Sequence, residues 1–435
     1  MDIYNLISAG GLIILPLVAW TLSENRRVIN WRVIGWGLGL QLLFALFVFI
    51  APVGTKFFLL INKAVVVVLD SATAGTKFLF GRLALPPGTT NEAGESSLGY
   101  FLAFQALPTI VFFAAMVNAL YYLKVMPRLI QGFSYIFTRL MKISGAESLC
   151  ASSNIFVGIE SALVIRPYLQ NMTRSELATI LSAGMGTIAS TVLALYVFTL
   201  QNQLPTIAGH LVSASFLSVP AAVIMAKLLV PETGRPLTLG VDVKPFYEQE
   251  DNLIVSIING AQSGLKLLGG IVALLLAFLG LLALLDLFLG YGGGLINNWF
   301  GLHLDISIKG ILGYVFYPFT LIIGVPPSDA LEIAKIIGER TVATEVVAYQ
   351  HLAELMKAGA LHHPRSAIIA SYVLCGFAHI ASLAIFVGGI GALAPDRLKD
   401  LSQLGFKALL AATLGCLMTG AVAGLFFSQA TVLFH

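Results

Sequence analysis

Charge is scarce in this sequence: 11% of its 435 residues are Asp, Glu, Lys or Arg, against 57% hydrophobic, and the mean hydropathy is +0.89. That shortage excludes a water-soluble domain, which at this length exposes far more ionised side chains. Cysteine is scarce as well. Cys150, Cys375 and Cys416 fall in apolar stretches without metal-type spacing, so free, buried, inert thiols are expected. Phosphate-binding glycine loops, a nucleophile elbow and zinc spacings are all missing, and His362–His363 before Pro364 reads as a solvated pair despite resembling a metal pair. Nothing argues for an enzyme. The net charge of +3 says little about partners, and no nucleic-acid partner is expected.

What the chain does have is apolar runs near the roughly 20 residues that cross hydrocarbon as helix. They fall at about 5–22, 34–53, 100–123, 176–200, 209–229, 252–289, 366–393 and 403–432, predicting eight spans. Met1 to Ser23 lacks a basic n-region and a small-residue cleavage signal, so it reads as a retained first span. Residues 56–82, interrupted by Lys56, Lys63, Asp70, Lys77 and Arg82, read as an interfacial helix, and 86–98 as a polar loop. Regions 126–170 and 309–361 are apolar but punctuated by Gly, Ser, Pro and charge, and each is too long for one crossing. Both read as re-entrant hairpins, which are tolerated where protein or a cavity covers their backbone. The expected fold is thus an all-α integral membrane protein with eight transmembrane helices, two re-entrant hairpins and an interfacial helix. Basic residues after the first, third, fifth and seventh runs (Arg26 and Arg27, Lys124, Lys227, Arg397) place those ends in the cytoplasm.

Self-similarity links two segments: GMGTIAS (184–190) and GFAHIAS (376–382) match at Gly, Ile, Ala and Ser, each after a hairpin region containing a Glu. An odd number of crossings between the copies would invert one relative to the other, the plan of secondary transporters. The corresponding division is 1–99 as N-terminal scaffold, 100–229 as first repeat, 230–308 as connecting scaffold and 309–435 as second repeat.

An ionised carboxylate facing lipid costs a few kcal/mol, so Glu160 and Glu345 need partners. Each is expected in the first turn of a hairpin's returning helix, where the helix dipole favours an anion. A hairpin tip can at the same time aim the carboxylate into a wet cavity that binds a polar solute. Asn154, before Gly158, and Gly184, Gly186, Thr187 and Ser190 in the fourth run invite an unwound turn. Its oxygens either cage a small cation such as Na⁺ or hydrogen-bond across a helix interface. His379, in register with Thr187, is either an interhelical donor or a proton- or substrate-binding group; Ser382 shares its face, and Phe377 either stacks on a ring or packs.

GAESLCASSNIFVGIESALVIRPYL (145–169), MTRSEL (172–177), ATEVVAY (343–349) and LCGFAHIASLAI (374–385) resemble the concentrative nucleoside transporters, over about residues 100–432 in order. The resemblance implies a homotrimer in a bacterial inner membrane, moving nucleosides by an elevator-like motion driven by a cation gradient. It implies Na⁺ ligands at Asn154, Val157, Thr187 and Ile188, the two aliphatics through their carbonyls, and substrate contacts at Ile159, Glu160, Glu345, Phe377, His379 and Ser382. Three departures stand out. One residue is missing after Gly158, which removes a nucleobase-contacting Gln and puts Ile159 where a hydroxyl is usual. Thr344 stands where Asn usually precedes Glu345, and His379 replaces a substrate-binding Asn. A nucleoside importer with altered base selectivity is expected. H⁺ coupling through His379 and Glu160, a receptor that binds without transporting, and another polar ring compound as solute are the alternatives.

Overall fold

A computed structural model describes residues 2–91, 94–247, 250–301 and 303–428. The C-terminal end of the eighth run and two positions of the 86–98 loop lie outside the described residues. Among those described, regular structure is helical: α1 (Ile3–Thr21), α2 (Trp31–Phe49), α3 (Pro52–Phe80), α4 (Leu102–Gln105), α5 (Thr109–Tyr122), α6 (Val125–Met141), α7 (Gly145–Ser153), α8 (Arg174–Gly186), α9 (Ser190–Leu200), α10 (Ile207–Leu229), α11 (Leu253–Phe300), α12 (Ile308–Ile322), α13 (Pro327–Val342), α14 (Glu345–Lys357), α15 (Pro364–Val373), α16 (Ile380–Leu393) and α17 (Leu398–Phe426). A long 3₁₀ segment, Ile159–Asn171, follows α7.

Among the described residues, eight helical stretches are long and apolar enough to cross a membrane, but they are not the eight runs read from sequence. Pro52–Ala84, expected at the interface, qualifies on length and composition; the seventh run does not, because it is split into α15 and α16. Lys56, Lys63 and Lys77 interrupt α3 without breaking its apolar character, so length and composition alone do not separate a crossing helix from the interfacial one expected here. The two hairpin regions each contain three helical pieces rather than two. In the first, α6 is a separate amphipathic helix that buries Ile130, Ser134, Phe137 and Met141 along one face and exposes Arg128, Leu129 and Tyr135. In the second, α12 packs along α13 before the chain turns into α14.

Two long helices break in the middle. Gly184 and Gly186 end α8, and residues 187–189 are extended before α9 begins. Residues 374–379 similarly separate α15 from α16. The breaks touch: Phe377 N–H donates to the Thr187 carbonyl at 3.3 Å. A methyl on Gly376 would lie 2.6 Å from Cys416 Sγ and 2.9 Å from the Gly186 carbonyl, so glycine there permits the crossing.

The core is built by α8, α10 and α17, with α1 lying along α17 and α2 along α10. α5 instead runs beside the 48-residue α11, whose apolar side chains are largely exposed. Two features staple the core's ends. Buried Lys227 contacts Glu147 and stands 3.0 Å from Ser175 Oγ and 3.5 Å from Glu232, while Glu147 and Glu176 close capping boxes with Ser144 and Thr173. Arg365, at the start of α15, donates to Asn5 Oδ1, Ser8 Oγ and the carbonyls of Tyr4, Gly324 and Gly424 at 2.7–2.8 Å.

Candidate functional site

Glu345 opens α14, so its carboxylate meets the positive end of that helix, and it is 3% exposed. Two donors converge on it. Tyr196, from α9, donates its hydroxyl to Oε1 at 2.7 Å, and His379 Nε2 stands 2.9 Å from Oε2. The His tautomer follows from its other nitrogen: Nδ1 accepts from the Ser382 N–H at 3.1 Å, which leaves the ring proton on Nε2, facing the carboxylate. His379 reaches this place because it is the N-cap of α16, in a box with Ser382. The Nε2–Oε2 contact is close but poorly aligned, so Oε2 retains unused acceptor capacity. Tyr196 is fixed in turn by stacking on Tyr349 at 4.6 Å, whose hydroxyl donates to the Ser371 carbonyl at 2.8 Å.

A cavity of about 100 Å³ opens on this group. Ile159, Glu160, Glu345, Phe377, His379 and Ser382 all line it, so the structure brings the six sequence-derived substrate positions together. Leu267, Ile271 and Leu274 of α11 form the opposite wall. Glu160 is exposed; its Oε2 accepts from the Gly158 N–H at 3.1 Å, which holds the carboxylate over the hairpin tip. It also borders a second cavity of about 530 Å³ between α5, α11 and the 3₁₀ segment. Ser382 offers less than its position promises, because its hydroxyl already faces the Phe377 and His379 carbonyls.

Asn154, Val157, Thr187 and Ile188 are all buried around the joint of the first hairpin tip and the α8–α9 break. The tip is docked there by Ser190, whose N–H and hydroxyl donate to the Phe156 carbonyl at 3.0 and 2.6 Å. Asn154 donates to the Cys150 carbonyl at 3.1 Å, yet its Oδ1 has no donor. Thr187 sends its hydroxyl proton to the Ala183 carbonyl at 2.9 Å, which leaves oxygen lone pairs free. A fully buried acceptor without a donor is costly unless a cation or water completes it, so the donor set fits a small hard cation. His362 and His363 have exposed side chains and donate only through their backbone, to Asp329 at 3.0 Å.

Sequence reasoning missed Tyr196 and Tyr349; Thr344, noted there only as a departure, is a buried N-cap whose hydroxyl has no partner. The available signal was a tyrosine amid the aliphatic residues of 192–198, since a buried tyrosine hydroxyl needs an acceptor.

These features define a multi-pass helical membrane protein in which a buried carboxylate–imidazole pair faces a cavity between broken helices. Residues 10–83 match the family "Na+ dependent nucleoside transporter N-terminus", 103–203 match "Nucleoside recognition", and 210–424 match "Na+ dependent nucleoside transporter C-terminus". The chain is 34% identical to "Nucleoside permease NupC" of Helicobacter pylori, across 97% of this chain and 98% of that one. It is 35% identical to "Solute carrier family 28 member 3" of Mus musculus, covering 97% of this chain but 59% of that protein, so it spans about three-fifths of the mammalian relative's length. Among solved structures, CNTnw in an inward-facing substrate-bound state superposes with a TM-score of 0.86 at 35% identity, covering 98% of both chains. The chain belongs to the concentrative, Na⁺-dependent nucleoside transporter family. It is therefore a protein of the membrane, which in a bacterium is the inner one.

Proposed function

We propose that the protein imports nucleosides by symport with one cation, Na⁺, and that its base selectivity departs from the family's usual pattern. The observation that carries this reading is the cavity in which Glu345, oriented by Tyr196 and His379, faces Phe377 and Glu160. A carboxylate with spare acceptor capacity suits the hydroxyls of a ribose, and an aromatic ring beside it suits a base. On this reading Ile159 and Glu160 border the base, and the loss of a polar contact at Ile159 alters which bases are accepted.

Asn154, Thr187 and the carbonyls of Val157 and Ile188 receive the cation, one hydrogen-bonded step from the substrate break because Phe377 bonds to Thr187. One charge moving inward across about 100 mV supplies about 2.3 kcal/mol, enough for roughly 40-fold accumulation of a neutral solute. The moving body is the hairpin-and-break core, and the seam against which it slides runs along α11, which borders both cavities, and α5, which borders the larger. The exposed apolar side chains of α11 provide surface for lipid and for two further copies in a homotrimer.

Thermal stabilisation of the purified protein by a panel of nucleosides and free bases, in NaCl and in choline chloride, tests the reading. Stabilisation by nucleosides that is stronger in Na⁺ supports it; indifference to every nucleoside refutes it. The His379–Glu345 pair favours one second reading, H⁺ coupling, since it is a buried group able to take up a proton. Uptake that persists without Na⁺ and collapses with the pH gradient selects that alternative.

A further inference from the structure

Arg340 is the largest wholly buried side chain among the described residues, at 0% exposure. It sits in the last turn of α13, two residues before that helix ends. One nitrogen donates to the carbonyl of Val373, the last residue of α15, at 2.6 Å; Nε and the other terminal nitrogen have no oxygen acceptor, and only the Cys416 thiol stands near them. Among the described residues no carboxylate pairs with it, and its neighbours are Tyr349, Cys375 and Cys416. A buried, permanently ionised guanidinium without a counter-ion is among the most unfavourable arrangements in a protein. Something else must balance it.

The balance is supplied by helix ends. Arg340 lies where α13 and α15 both terminate, and Cys416, beside it, directs its thiol to the Gly186 carbonyl at the end of α8. Each C-terminus carries roughly half a negative charge and unpaired carbonyls, so two or three of them together match one cation. The same construction occurs in the first half of the chain. There the order helix, tip, helix, broken helix is α7, 154–158, 3₁₀ segment, α8–α9; here it is α13, 343–344, α14, α15–α16. In the first half, α7 and α8 end around Asn154 and Thr187, where an acceptor oxygen lacks a donor. In the second half, the corresponding helices α13 and α15 end around a guanidinium, where two donor nitrogens lack an oxygen acceptor.

We infer that Arg340 is a built-in cation: its guanidinium holds, at the α13–α15 joint, the position that the transported cation holds at the α7–α8 joint. It is a positioning residue, and it limits the chain to one exchangeable cation. The inference rests on the one-cation symport reading above.

The test compares Asn154→Ala with the double variant Asn154→Ala/Arg340→Ala by thermal unfolding in NaCl and in choline chloride. Asn154→Ala removes the first cation site and is expected to show no Na⁺ response. The double variant opens the second joint, so Na⁺ is expected to raise its unfolding midpoint by several degrees, or to be required for its folding. In the Asn154-intact background, Arg340→Ala is expected to steepen the Na⁺ dependence of uptake from first toward second order. A double variant that folds with no Na⁺ response overturns the inference. Should Arg340→Ala fold in neither salt, Arg340→Met and Arg340→Lys decide. Met is expected to lower the midpoint equally in both salts and Lys to restore it; Met matching the parent, or Lys as damaging as Met, overturns the inference. A parent protein indifferent to Na⁺ refutes Na⁺ coupling instead, and leaves the answer for Arg340 to the double variant.

Discussion

His379 Nε2 lies 2.9 Å from Glu345 Oε2, while His379 Nδ1 is held by the Ser382 N–H, so the helix that presents the imidazole also chooses its tautomer. Glu345→Gln keeps the shape but supplies an amide where an anion is oriented by two donors. Uptake into proteoliposomes is expected to fall to background and nucleoside affinity by about 10- to 100-fold, the value of a charged hydrogen bond of roughly 1.5–3 kcal/mol. Saturable uptake at the parent rate would remove Glu345 from the site.

Tyr196→Phe deletes the hydroxyl that donates to Glu345 Oε1 at 2.7 Å and keeps the ring stacked on Tyr349. The carboxylate loses a donor in a dry place, for a stability cost of about 1–3 kcal/mol. A double-mutant cycle with Glu345→Gln checks this: the two losses should be strongly sub-additive, because the second change removes what the first left stranded.

Asn154→Ala removes a buried side-chain carbonyl oxygen of the first hairpin joint that has no donor. Na⁺-dependent thermal stabilisation should disappear, while the far-ultraviolet circular dichroism stays that of the parent. A retained Na⁺ response would place the cation elsewhere.

Gly376→Ala inserts a methyl 2.6 Å from Cys416 Sγ and 2.9 Å from the Gly186 carbonyl. The neighbour is partly backbone and cannot yield without separating the two helix breaks. A loss of about 1–3 kcal/mol in stability is expected from overpacking. Cys416→Ala in the same chain should recover part of it, read as the unfolding midpoint.

Glu24, in the loop after α1, receives Lys407 at 2.6 Å and Arg174 at 3.2 Å. Burial pushes its carboxyl up, but the two cations outweigh burial and hold it below its ordinary value of 4.5. A lowered folded-state value means that the contribution is present above the ordinary glutamate range and is lost as pH falls through the folded value. Glu24 is partly exposed, so Glu24→Gln should cost no more than about 1 kcal/mol near neutrality. The difference from the parent should vanish in unfolding measured under acid conditions.

The sequence carried the parts of this molecule that follow from local chemistry. Glycines at 184 and 186 marked the first break, and the acidic residues at 160 and 345 marked helix starts, since those preferences act over a few residues. Partners contributed from distant helices were invisible. Nothing around Tyr196 announces that its hydroxyl meets a glutamate 149 positions away. Arg340 passed for ordinary hairpin polarity, because a lone basic residue between Glu339 and Thr341 looks solvated until burial is known. The amphipathic helix α6 was merged into the hairpin after it for a related reason: hydropathy averages over its polar face and conceals where one element stops.

Arg365 has a mechanical consequence. Its guanidinium clasps α1 at Tyr4, Asn5 and Ser8, α17 at Gly424 and the α12–α13 turn at Gly324, all from the first turn of α15. A displacement that parted these pieces would strand a buried charge amid bare carbonyls, so the clasp holds them together as one block. On the transport reading proposed above, the N-terminal helix is then carried along with the pocket, and the stationary rail is reduced to the elements that Arg365 does not reach.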